Sequence, residues 1–228
     1  MTRSTLTARA AAILFLITWV TSVAALPLYG GSALGTELAL AGRTSVLVAS
    51  LLEVILAVAV VGTAVALYPL LRPHGAGTAA GYLAFRGLEA SVILVGVVAI
   101  LPAVARPATT ASPGLSTQVV SALHLVHDWT FLVGPGLVNP VTAVLLAMLL
   151  LRRRLAPLVV PVLGLVGAVI VAGQNLAVMF GLTKPVPVLA VPLFVWEIGL
   201  AITLWVRGIK PLRRVDERVV GSGAVAPS

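Results

Sequence analysis

AAGYLAFRGLEASVILVGVVAIL, residues 79–101, is an apolar run long enough to cross a bilayer, yet Arg86 and Glu89 interrupt its first half. At about 1.5 Å per residue, a helix over this run covers the roughly 30 Å of a hydrocarbon core. Residues three apart lie on one helical face, so Arg86 and Glu89 are placed to pair. A charge at the bilayer centre costs about 2.5–3.5 kcal/mol on insertion scales. The pair is therefore expected to face protein or water, not lipid.

The composition around this stretch agrees with a membrane setting. Of 228 residues, 60% are hydrophobic and only 10% charged, with a mean hydropathy of +1.12. A soluble domain carries about a quarter of its residues as charges. The absence of cysteine excludes a disulfide framework and a thiolate metal site. The formal charge of +8 resides at the ends of apolar runs and forms no separate basic domain. It reads as anchoring charge, and no nucleic-acid partner is expected. The lipid bilayer is the expected surrounding, with a second copy or another membrane protein left open as partner. No motif implies a cofactor.

Five further apolar runs flank the first, so the expected fold class is all-α, a polytopic protein of six transmembrane helices in a single domain over 1–212. The spans are expected at about 10–28, 44–71, 79–101, 129–151, 157–181 and 188–206. Arg3 and Arg9 before the first run, and Val23-Ala24-Ala25 near its end, resemble a signal peptide. The run is too long for a usual signal core, and it is read as an uncleaved span. GGSALGTELALAGR, with Glu37 and Arg43, forms the first loop, and RPHGAG the second. The fourth segment, Ser116 to Leu151, would be about 54 Å long as one helix. Gly134-Pro135-Gly136 and Asn139-Pro140 fall inside it. A kink or break is expected there, with an interfacial lead-in over 117–128 and the span proper from Trp129. The tail from residue 213 is expected to be disordered.

The basic residues also suggest an orientation. The side holding the amino terminus, the second and fourth loops and the tail carries eleven Lys and Arg, against three on the other. By the positive-inside rule both termini are cytoplasmic. Thirteen Arg against two Lys, with abundant Ala, Val, Leu and Gly, suit a high-GC bacterial genome, and the expected location is the bacterial cytoplasmic membrane.

Four motifs carry a resemblance to a known family. GYLAFRGLE in the third span, HDWTFLVGPGL in the fourth, RRRLAPLVVPVLGLVGA in the fifth and WEIGLAITLWVRGIKP in the sixth resemble the domain-of-unknown-function 4386 family of bacterial membrane proteins. The likeness runs over roughly residues 8 to 212. It implies an integral membrane protein of six spans and implies no activity.

Function is sought among the polar groups inside the spans. Glu53, Glu89 and Glu197 fall near mid-bilayer on three spans, with Arg86 and Asn139 as further intramembrane polar candidates. Together they suggest a proton- or cation-binding site between helices; alternatively they hydrogen-bond the helices and fix their register. Glu53 and Glu197 lie about 14 and 15 Å from the same side of the membrane, counted along their helices. They are expected to share a depth and to converge beside residues 134–140. His124, His127 and Asp128, at i, i+3 and i+4, share a face, suggesting a weak metal or His–Asp site, or an interfacial polar patch beside Trp129. Gln174 and Asn175 read as interhelical bonding groups. LEASVILVG and WEIGLAITL in spans three and six would fit an inverted repeat. Three function classes follow: a small-solute or proton-coupled carrier or channel, a non-catalytic membrane subunit or regulator, and a membrane enzyme at the outer interface. The balance leans away from an enzyme.

Overall fold

The computed structural model describes residues 3–30, 42–104 and 115–209. The expected disordered tail, most of the first loop with Glu37, and the loop around Arg106 lie outside the described residues. Among these residues seven α-helices make up six spans: α1 (Arg3–Ala25), α2 (Arg43–Leu71), α3 (Ala76–Ile100), α4 (Thr117–Val133), α5 (Asn139–Arg152), α6 (Val159–Met179) and α7 (Val191–Val206). Among the described residues there is no strand. All six spans are long and apolar enough to cross a membrane.

The fourth span corrects the sequence reading. Residues 117–128 run without interruption into the span proper, in one helical stretch from Thr117 to Arg152. Ser116 caps its start, its hydroxyl accepting from the Val119 amide at 3.4 Å. Gly134 to Val138 winds as one π-helical turn rather than breaking. Pro135 and Pro140 each lack an amide hydrogen, and a wider turn accommodates the carbonyls they leave without a donor.

The helices close into a ring. Each span packs on its sequence neighbours, and α7 returns to pack on α1, while α5 also reaches α3. Small residues set the close approaches. Ala8, Ala11 and Ala12 on α1 join one buried cluster with Ala64 and Leu67 of α2. On α6, Gly164 lies under the Trp196 indole and Gly167 against the Leu193 backbone of α7. The outward face is as apolar as the inward one: Val58 is 67% exposed and Val60, on the same helix, 1%. Lipid suits such a surface, and water does not.

Two helix ends solve the same turn differently. After α6, the Leu182 amide bonds to the Ala177 carbonyl and Gly181 takes φ 69°. After α5, the Leu155 amide bonds to the Leu150 carbonyl, but the left-handed position is Arg154, at φ 51°. A left-handed conformation costs a non-glycine residue about 1–2 kcal/mol. Arg154→Gly should therefore raise stability by about 0.5–1 kcal/mol, after subtracting the extra entropy glycine loses. The check is the unfolding midpoint in detergent; a lower midpoint would contradict the strain.

Candidate functional site

Two clusters of buried polar groups lie inside the ring. The first is built on α3. Arg86 Nη1 donates to Glu89 Oε2 at 2.9 Å, and Arg86 Nε donates to the Tyr82 hydroxyl at 3.3 Å. The guanidinium lies 5.7 Å from the ring centres of both Phe15 and Tyr82. Arg86 and Glu89 are 2% and 3% exposed, so the pair expected from the i, i+3 spacing is formed inside the protein. On the facing helices, Asn139 Nδ2 donates to Glu197 Oε1 at 3.3 Å, and Asn139 Oδ1 accepts from Thr142 at 3.1 Å. Arg86 also acts electrostatically on Glu197. One guanidinium thus serves two carboxyl groups.

These groups line a cavity of about 210 Å³. Every span contributes to its wall: Ser22 of α1, Val60 of α2, Arg86 of α3, Asn139 of α5, Asn175 of α6 and Glu197 of α7. Water needs only about 10–15 Å³ of such volume per molecule, and the polar lining supplies partners. The space admits several waters or a small solute.

The second cluster joins α2 to α4. His127 Nε2 lies 3.1 and 3.0 Å from the two oxygens of Glu53. Asp128 Oδ1 is 3.6 Å from His127 Nδ1 and 3.8 Å from His124 Nε2, distances beyond a hydrogen bond. Both ring nitrogens of His127 therefore face carboxyl groups; a neutral imidazole donates from one, an imidazolium from both. Tyr29 lies tilted against the His127 ring at 4.3 Å, and Phe131 packs on it at 5.2 Å. Gly96 makes this approach of α3 and α4 possible, since a β-carbon there would collide with the Thr130 hydroxyl. A smaller cavity of about 110 Å³ adjoins Glu53, His127 and Asp128. Ser22 and Phe131 line both cavities, so one serine and one aromatic ring separate the two clusters.

This arrangement overturns three expectations. Glu53 and Glu197 do not converge: Glu53 pairs with His127 on α4, while Glu197 faces Asn139 on α5. His124, His127 and Asp128 are not an interfacial patch, being 1%, 3% and 3% exposed. Among the described residues no group of three or more His, Asp or Glu side chains is arranged to hold a metal ion, and Glu53 faces His127 Nε2. Asn175 bonds within its own helix, to the Val171 carbonyl at 2.8 Å, rather than across helices. Tyr29, Ser22 and Phe131 were missed. A tyrosine, a serine and a phenylalanine in apolar runs carry no signal of a site until their neighbours are known.

The profile of the family described as Domain of unknown function (DUF4386) matches residues 10–208. The chain belongs to this family. In this DUF4386 protein, GYLAFRGLE supplies Arg86 and Glu89, HDWTFLVGPGL supplies His127, Asp128 and the π turn, and WEIGLAITL supplies Glu197. No curated protein and no solved structure matches the chain.

Proposed function

We propose that this multi-pass membrane protein moves protons across the membrane, alone or coupled to a small solute, with Arg86, Glu89, Glu197 and Asn139 as the central site. One observation carries the reading: a cavity walled by all six spans, where one guanidinium faces two carboxyl groups. With both carboxylates ionised the site holds a net negative charge. A proton or a small cation restores balance, and burial makes that imbalance costly. Glu53 and His127 extend the polar route toward the end of the bundle that holds Tyr29. The alternative is a non-catalytic membrane subunit whose polar pairs only fix helix register, with the Glu89–Arg86 contact as its support.

Charge displacement after a pH jump on a supported membrane tests this without knowledge of the solute. The wild-type protein should give a transient current as protons enter the site. Glu197→Gln should abolish it while the thermal midpoint stays close to wild type. A wild-type protein with no current above that of empty liposomes would remove the carrier reading and favour the subunit.

The proposed setting is the cytoplasmic membrane of a bacterium, with both termini and the Arg152–Arg154 turn in the cytoplasm. Reporter fusions at Ser228 should read cytoplasmic and at Lys184 external; the reverse pattern would invert the orientation.

A further inference from the structure

A third cavity, of about 350 Å³, lies at the end of the bundle where α2 meets α3 and α5 ends. His74, Gly75, Thr78, Arg152 and Arg153 supply its polar wall. His74 is 94% withdrawn from solvent, yet among the described residues its ring has no hydrogen-bond or ion partner. The residue is buried but its ring nitrogens are not sealed off, so they open to the cavity they line and are placed to meet a ligand there.

The other groups define the ligand's charge. The 25-residue helix α3 starts here without a side-chain cap, and its first helical bond runs from the Ala79 amide to the Gly75 carbonyl. The amides of the preceding turn keep their donors, and the helix dipole favours an anion before them. Arg152 and Arg153 are exposed, with no carboxylate partner among the described residues. Arg154 closes the turn after them in a left-handed conformation that glycine would adopt at lower cost. Val144, Leu145, Met148 and Leu149 form the remaining wall, which runs from the arginines along the apolar flank of α5. Val144 is open to the surroundings at 36% exposure.

We propose that this cavity binds a phosphate-bearing anion, held by Arg152, Arg153, His74 and the first amides of α3. The apolar wall beneath the cationic rim fits a phospholipid, with the phosphate among the arginines and an acyl chain along α5. Nothing in this assignment depends on proton movement through the central cavity.

The test uses the full chain with its three histidine rings isotope-labelled, in nanodiscs of phosphatidylcholine. Phosphatidylglycerol is added to the discs in one arm and inorganic phosphate to the buffer in another. Phosphatidylglycerol should shift the His74 ring signal saturably and raise the unfolding midpoint. The double variant Arg152→Gln with Arg153→Gln should bind about thirtyfold more weakly, at roughly fivefold per arginine. Arg207→Gln, at the same end of the bundle but outside the cavity, should leave binding unchanged. A His74 shift produced by phosphate, with no preference for phosphatidylglycerol over phosphatidylcholine, would assign the site to a soluble anion instead of a lipid. No His74 shift in either arm, or equal losses in Arg207→Gln and the double variant, would overturn the site.

Discussion

Arg86→Met should destabilise the protein by about 3–5 kcal/mol, the scale for removing one partner of a buried ion pair. The substitution keeps an unbranched apolar stem but leaves Glu89 and Glu197 in low dielectric without their cation. It also removes the Tyr82 contact. Replacing the pair together, Arg86→Met with Glu89→Leu, should recover a large part of the loss, since an apolar pair of similar volume needs no compensation. Adding Glu197→Gln should recover more, because that carboxyl shares the same guanidinium. Reversible unfolding in mixed micelles measures all three. A double variant as unstable as Arg86→Met alone would show that Arg86 and Glu89 do not depend on each other. A triple variant no better than the double would remove Glu197 from the cluster.

Gly167→Val should cost about 1–3 kcal/mol by overpacking, and it should displace the site as well. A β-carbon at residue 167 would stand 2.8 Å from the Leu193 amide nitrogen and 2.9 Å from its α-carbon. Backbone has no alternative rotamer, so α7 must move as a body. Glu197 lies one turn further along α7, and its 3.3 Å contact with Asn139 should break. The pH-jump current should fall along with the unfolding midpoint. Gly173→Ala on the same helix is the control, because a β-carbon there meets nothing within 4 Å. Equal effects at the two positions would show that general helix propensity, and not the α6–α7 contact, is responsible.

These two variants separate what a local reading of the chain supplies from what it misses. Arg86 and Glu89 are three residues apart on one helix, so their pairing follows from helical geometry alone. The six spans follow in the same way. Each is a local property, because a segment in lipid must satisfy its own backbone hydrogen bonds. The polar residues inside the spans were equally visible, since each stands out against an apolar background. The sequence therefore determined the class, the number of spans and which residues are costly to place in a membrane.

The partners of those residues were decided only by the tertiary structure. Helices that are apolar on every side do not declare which face turns inward, as Val58 and Val60 show. Counting depth along the helices placed Glu53 and Glu197 together, yet each meets a different half of the fourth span. His127 and Asn139 are 139 − 127 = 12 residues apart. In a regular helix, at about 100° per residue, they would point about 120° apart. The π turn at Gly134–Val138 absorbs one residue, which leaves about 20° and turns both side chains inward. His127 reaches Glu53 and Asn139 reaches Glu197 for that reason. The run Gly-Pro-Gly announced an irregularity, but whether the helix would break, kink or widen depends on the neighbours that hold it. Here α3 and α6 pack against the widened turn and hold the span continuous, and that packing separates the four carboxyl groups into two sites.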